Sequence, residues 1–330
     1  MTTPVPPPTS ISLTNSGFYQ QLMADNPAMY QDIAYNTVNP FSNQSKAKEM
    51  ILEAKEGFKF GCDPELFVFD PEGRPVPADM IPGTKECPYP VEHGAVQRDG
   101  FAAEFNTEPA TTFKEFNRNI EAVMKQLTAF LPAGYTLQAV PSANFAPEIF
   151  DAAPDDAKEL GCMPDFDAWT GEMNPPPRDP SNPYLRTASG HLHIGWTEDA
   201  ELDDLQHIMN CRDLVKQFDW YLGGWSVKMD SDPTRRKLYG RAGACRFKPY
   251  GVEYRVLSNF WITSRDRRLA VWNRMQQAID TMRTVYIPDR TAARSTQALI
   301  ETINSCVMDT DLSQSFRYPL STIDPQYCRI

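Results

Sequence analysis

The chain has 330 residues, 41% of them hydrophobic and 11% aromatic, enough for one large domain or two ordinary ones with a substantial core. Its formal net charge of −11 gives no reason to expect a nucleic-acid or anionic-membrane surface. No run approaches the roughly 18 apolar residues of a spanning helix, residues 1–10 are rich in Pro and Thr rather than basic and then apolar, and the seven scattered cysteines include no CxxC pair, so a cytoplasmic protein in a reducing compartment is expected.

Residues 1–50 lack sustained periodicity and are rich in Pro, Asn, Ser and Thr, which reads as an N-terminal extension or arm, with one domain over 51–330. Strand-like runs are expected at 60–70, 101–106, 135–145, 189–196 and 252–261. Thr112-Phe113-Lys114-Glu115 is a capping box, and Phe116, Ile120, Val123, Met124 and Leu127 paint one face of a helix over 113–131. Similar spacing predicts helices at 199–222, 264–286 and 294–307. Strands and helices do not alternate at the spacing of a doubly wound sheet, so the expected class is α+β, helices packed on a largely antiparallel sheet. The segment 150–187 holds seven prolines and many acids and is expected to be an irregular lid or insertion.

Chemistry concentrates in short strand motifs. In Gly61-Cys62-Asp63-Pro64-Glu65-Leu66-Phe67-Val68-Phe69-Asp70, Asp63 and Glu65 stand two apart and so share a face of a strand. Like charges held on one mostly buried face need a cation or a proton, and a divalent metal supplies it. The bland alternative is a solvated strand edge, which Pro64 would favour. Glu104 and Asn106 repeat the spacing, and this oxygen-rich set favours Mg2+ or Mn2+. His191 and His193 in Gly190-His191-Leu192-His193-Ile194-Gly195 could be ordinary strand histidines, a zinc pair, or part of a mixed shell with these acids; no partner Cys or third His accompanies them. Of the other two histidines, His207 reads as surface and His93 as part of a loop. Glu253 and Arg255 pair an acid and a base on one strand face. The stretch 232–248 carries six cations, among them Arg235, Arg236 and Arg246, and reads as a basic loop for a polyanion or as a surface charge run. Pro82-Gly83-Thr84-Lys85-Glu86 is a turn with one cation. Carboxylates and histidines around two or more metal ions, with several arginines, are the parts for phosphoryl transfer.

The order Asp63-Pro64-Glu65 before Leu66-Phe67-Val68-Phe69-Asp70, then Glu104-Phe105-Asn106, Gly190-His191-Leu192-His193, the basic stretch and Val252-Glu253-Tyr254-Arg255 resembles the carboxylate-amine ligases of the glutamine synthetase and γ-glutamylcysteine ligase superfamily. The closest look is to the phage-encoded COOH-NH2 ligase (amidoligase) type 2 family, over residues 55–265. The resemblance implies a glutamine synthetase-like domain whose sheet is lined by the active site. It implies ATP and two or more Mg2+ or Mn2+ ions, with Asp63, His191 and Glu253 on one ion and Glu65 and Glu104 on the other. His193 would face the nucleotide phosphates and Arg255 the transferred phosphoryl group, while Arg235, Arg236 and Arg246 are candidates for phosphates or a substrate carboxylate. Glu104, Arg255 and Arg246 would serve the chemistry, and Glu104, Glu108 or a nearby Asp the deprotonation of the amine. Carboxylate and amine substrates are implied as partners, an amino acid, peptide, protein or cell-wall component, and a homo-oligomer is compatible with the superfamily. This chain has Asp63 where glutamine synthetases carry Glu and Gly251 where they carry Arg. Alternatives are a guanidino kinase-like phosphotransferase, a non-catalytic binding protein on the same fold, and a zinc hydrolase built on His191 and His193.

Overall fold

A computed structural model describes residues 57–158, 165–175, 181–230, 232–284 and 289–309, all within the unit 44–330; the expected arm over 1–50 lies outside the described residues. Ten strands form one sheet whose main path runs β3 (Tyr89–Val91), β4 (Gly94–Asp99), β5 (Ala102–Thr107), β1 (Lys59–Phe69), β10 (Gly190–Gly195), β12 (Gly251–Tyr254), β11 (Ala244–Lys248) and β8 (Phe166–Asp167). Every pairing along it is antiparallel. Two short strands, β2 (Pro75–Val76) and β6 (Thr136–Gln138), extend the pairing of β1, while β7 (Ser142–Asn144) and β9 (Leu185–Thr187) make a separate two-stranded sheet.

Register separates the two faces of this sheet. Cys62 pairs with Leu192, Leu192 with Tyr254, and Tyr254 with Cys245, a buried row across four strands on the back face. Leu66 with Ala103 and Phe105 with Val96 continue it. Helices cover that face: α1 (Phe113–Ala129) packs on β4 and β5, α2 (Leu205–Phe218) on β11 and β12, and α4 (Arg265–Thr284) against both helices. Between them, α3 (Pro233–Leu238) packs on α5 (Asp289–Ser305). The capping box of α1 forms as expected, Thr112 Oγ1 accepting from Glu115 N and the Glu115 carboxylate accepting from Thr112 N. Its buried Phe116 stacks with Trp261 at 6.0 Å and meets Trp272 at 5.5 Å, and Trp272 also meets Phe60 at 5.0 Å between ring centroids. Each such ring removed from water contributes about 1.5–3 kcal/mol, so this aromatic layer anchors the helices to the sheet.

Several expected boundaries differ. The 199–222 helix starts only at Leu205, where Asp204 caps it by accepting from Gln206 N, and it closes through a π turn at Asp219–Gly223. In that turn the buried Asp219 accepts from Trp169 Nε1, Tyr254 Oη and Gly243 N, three bonds at 2.6–2.8 Å that tie strand, loop and helix together. The 252–261 run is strand only to Tyr254 and then becomes a 3-10 turn at Asn259–Thr263. The 135–145 run splits into β6 and β7, which belong to different sheets. The basic stretch 232–248 is not one loop but α3 followed by β11. Within 150–187 the described parts carry short elements joined by turns, among them a helix at Asp155–Lys158, β8 and β9. Residues 165–175 contribute β8 at the sheet edge and are held by Arg212, whose guanidinium donates to Ala168 O and Trp169 O. Gly251 has φ +148, and a Cβ there would sit 2.1 Å from Ile194 O, so the turn between β11 and β12 closes tightly against β10 only with glycine. That is a steric reason why no arginine stands at this position.

Candidate functional site

The front face of the sheet carries the motif residues because opposed residues in antiparallel strands project to the same side. Asp63 opposes His191, His193 opposes Glu253, and Glu253 opposes Arg246. Toward the other edge Glu65 opposes Glu104, which opposes Gln97. Six strands thus place their polar side chains on the floor of one cavity of about 880 Å³, with Lys85, Asp99, Lys248, Tyr250 and Arg255 also in its lining. Past Glu65 the same face of β1 turns apolar at Phe67, which meets Phe145 at 5.7 Å in a buried cluster with Phe101 and Phe150.

At one end of the floor acids and bases interleave. His193 Nε2 lies 3.1 Å from Asp63 Oδ2, and His191 Nδ1 lies 3.3 Å from Asp63 Oδ1 and 3.6 Å from Glu253 Oε1. Burial alone would raise the Asp63 pKa, but His193 and His191 hold it well below the usual carboxylate range. Burial likewise opposes the charge on His193, and the Asp63 carboxylate overcomes it and raises its pKa. His191 is pushed the other way, down to about 4, by burial and then by Arg255. Glu253 is kept below its ordinary value despite burial and Asp63, through Arg246, His193 and Lys248. His193 Nδ1 meets the Tyr250 hydroxyl, which fixes the ring so that Nε2 faces Asp63.

At the other end only acids meet. Glu65, Asp99 and Glu104 offer oxygens within 4.8 Å of one another. Glu65 Oε2 accepts from Ser189 N at 2.7 Å, Glu104 Oε2 from Gln97 Nε2 at 2.8 Å, and Asp99 Oδ2 lies 2.8 Å from Lys85 Nζ. Burial and then Asp99 lift the Glu65 pKa to about 7. Burial, with Asp63 and Glu65 behind it, lifts Glu104 well above the ordinary carboxylate value. This end holds its charges poorly with protein groups alone.

The donor chemistry fits divalent cations. Ligand atoms of Asp63, His193 and Glu253 also lie within 4.8 Å of one another, giving a second group beside the carboxylate trio. His191 Nε2 is buried without a hydrogen bond, and such an atom is costly unless something coordinates it. Oxygen-dominated groups suit Mg2+ or Mn2+, and the single imidazole in one group leans toward Mn2+ there.

Asp63, Glu65, Glu104, His191, His193, Arg246, Glu253 and Arg255 all line the cavity. The histidine grouped with Asp63 and Glu253 is His193, whereas the motif resemblance assigned His191 to the metal. Arg235 and Arg236 are a correction: both are buried away from the cavity lining. Arg235 donates to Val256 O, Arg255 O and Ser189 Oγ, and Arg236 to Ser226 Oγ, so they brace the chain behind the site and do not present cations to a ligand. Glu108 is exposed, 3.2 Å from His93 Nδ1, and is absent from the lining, which removes it as an amine base. His207, expected at the surface, is buried with Nε2 2.8 Å from Lys248 O. Sequence reasoning missed Gln97 on β4, Tyr250 after β11, and Asp165, whose Oδ2 lies 3.2 Å from Arg255 Nε, and it had Lys248 only as one cation of the basic stretch and Asp99 only as the acid opening the Glu104 motif. The i, i+2 spacing of Gln97 and Asp99, the same as that of Asp63 and Glu65, was the available signal.

No protein-family model matches the chain, and no curated protein matches it. Among solved structures it is similar to a bifunctional glutathione synthetase from Pasteurella multocida, at 11% identity and a TM-score of 0.38, over 81% of this chain and 47% of that one. The chain thus spans about half the length of that neighbour. Among the described residues no helix is long and apolar enough to cross a membrane.

Proposed function

We propose that this chain is an ATP-dependent carboxylate-amine ligase that works through an acyl phosphate, of the kind its strand motifs resemble. The observation that carries this reading is the pairing, on one sheet face, of two groups that could hold a cation, Asp63/His193/Glu253 and Glu65/Asp99/Glu104, beside Arg246, Lys248 and Arg255 in a single cavity. Bound Mg2+ or Mn2+ would draw charge from the phosphates and screen their repulsion toward an incoming carboxylate. Arg246, Lys248 and Arg255 hold and neutralise the phosphoryl oxygens. A carboxylate oxygen of the first substrate attacks the γ-phosphorus of ATP and ADP leaves. The amine nitrogen of the second substrate then attacks the acyl carbon, phosphate leaves, and the amine proton passes to a floor carboxylate. Glu65 and Glu104 are the floor carboxylates placed to take it when a bound cation keeps them ionised.

The test is phosphate release from ATP and Mg2+, with and without a pool of amino acids and peptides, with products weighed by mass spectrometry. The reading requires pool-stimulated release and a product lighter by one water than its two parts. Glu65→Ala should cut the rate at least about a hundredfold. ATP failing to bind at all, with no release under any pool, would sink it.

A further inference from the structure

Glu253, on β12, is fully buried, and three of the cavity's cations are drawn onto its single carboxylate. Lys248 Nζ lies 3.1 Å and Arg246 Nη1 3.4 Å from its Oε2, while Arg255 Nη1 contacts its Oε1. The other two lysines of the lining are engaged elsewhere, Lys59 with Glu198 and Lys85 with Asp99. Arg255 is also held independently of Glu253. Its Nε pairs with Asp165, which is itself fixed by Asn174 Nδ2 at 2.9 Å, and its guanidinium lies 4.9 Å from the centre of the Tyr239 ring.

A carboxylate set among three cations offsets one of their charges and occupies the N–H groups that would otherwise donate to an incoming anion, so it weakens the site for that anion. We propose that Glu253 masks an oxyanion site made by Arg246, Lys248 and Arg255, and that a divalent cation drawing the Glu253 carboxylate to itself unmasks it, so that cation and oxyanion bind cooperatively through this one residue. The proposal rests on the cation-binding part of the reading above and not on its ATP or ligase part. Because coupling free energy is reciprocal, the oxyanion tightens the cation as much as the cation tightens the oxyanion. The Asp165 and Tyr239 contacts keep Arg255 in place once Glu253 is occupied, which makes the site ready rather than merely released.

Direct attraction between a bound cation and the anion would also give cooperativity, so the decisive variant unmasks the site with no metal present. Binding of inorganic phosphate to the full chain, followed by 31P NMR in EDTA, should be about tenfold tighter in Glu253→Gln than in wild type, and Mg2+ should tighten it less than in wild type. No gain in metal-free affinity in a folded Glu253→Gln protein overturns the mask. Should that variant fail to fold by circular dichroism, Lys248→Met decides alone. It should weaken phosphate binding severalfold with Mg2+ present and by clearly less without it, because Glu253 already occupies the lysine there; equal weakening in both conditions overturns the proposal. A gain in Glu253→Gln beside a wild type that never binds ATP would keep the mask and discard the ATP reading, and the reverse pattern would do the opposite.

Discussion

Around β10, β12 and β11, each carboxylate of the cavity floor has a protein cation against it: Asp63 touches His193, and Glu253 touches Arg246, Lys248 and Arg255. Around β4, β5 and β1, Glu65, Asp99 and Glu104 crowd together, and the ion-paired cation there is Lys85, half exposed at the rim. The consequence is visible in the directions of titration. Asp63 and Glu253 are held below the ordinary carboxylate values, whereas Glu65 and Glu104 are lifted above them. One end of the floor is balanced before any ligand arrives, and the other asks for a cation from outside. A site for a metal and an anion needs both, since the balanced end keeps the fold intact while the acidic end supplies the affinity.

The largest expected effect is on stability against pH. Glu65 rises from 4.5 to about 7, Glu104 rises with it, and Asp219 rises from 3.8 to about 7, chiefly through burial. In this range the unfolded chain has released protons that the native state still holds, so stability falls as pH rises, by up to about 1.4 kcal/mol per pH unit for each such group. His193, raised by Asp63, works in the same direction. His191, lowered from 6.5 to about 4, works against it, but only below its ordinary value. The metal-free protein should therefore lose stability most steeply between pH 6.5 and 7.5 in urea titrations, and saturating Mg2+ should flatten that fall. A metal-free profile that rises over this interval would contradict the acidic end as described.

The second prediction breaks the balanced end. Asp63→Asn leaves His193 and the neighbouring cations without their shared carboxylate, and removal of one partner from a buried charge cluster costs about 3–5 kcal/mol. His193, freed of the carboxylate that raises it, should titrate lower by proton NMR. The mirror variant in the acidic end should have the opposite sign: Glu104→Gln relieves like-charge crowding at neutral pH and keeps the hydrogen bond to Gln97 available. It should stabilise the metal-free protein by about 1–2 kcal/mol and make it less sensitive to Mg2+. If both variants destabilise alike, the contrast between the two ends fails.

The two ends were also unequally legible in the sequence. Asp63 with Glu65, His191 with His193, and Glu253 with Arg255 stood out because each pair sits on a single strand, where the period of two is local information. What joins them is register, and register depends on partners more than a hundred residues away: Asp63 opposes His191, and Glu65 accepts a bond from Ser189. The missed members show the same limit. Asp99 stands at the end of β4 before Gly100, where an acid and a glycine read as a turn, and only the pairing of β4 with β5 turns it toward Glu65. Arg235 and Arg236 were misjudged for the converse reason. A run of cations looks like a polyanion site, but their acceptors are the carbonyls of Val256 and Arg255 and the hydroxyls of Ser189 and Ser226, brought close by the tertiary fold. The helix over 113–131 came through nearly whole because its cap, its period and its apolar face all lie within one stretch of chain.

The smallest expected effect sharpens the comparison at its most exposed point. Lys85 Nζ lies 2.8 Å from Asp99 Oδ2 with its side chain 47% exposed, so in water the pair contributes little to folding, within about 0.5 kcal/mol. Its importance is to the acidic end's appetite for a cation, since the ammonium occupies a carboxylate oxygen that a divalent ion would use and repels that ion besides. Lys85→Met should leave the urea midpoint almost unchanged while tightening Mn2+ binding about threefold by calorimetry, an effect that shrinks as salt screens the rim. Lys248→Met, at the balanced end, should not tighten Mn2+ in this way, because removing Lys248 leaves Arg246 and Arg255 still on Glu253. A gain in Mn2+ affinity at both lysines would mean that the two ends respond as one electrostatic body; a gain at Lys85 alone keeps them distinct.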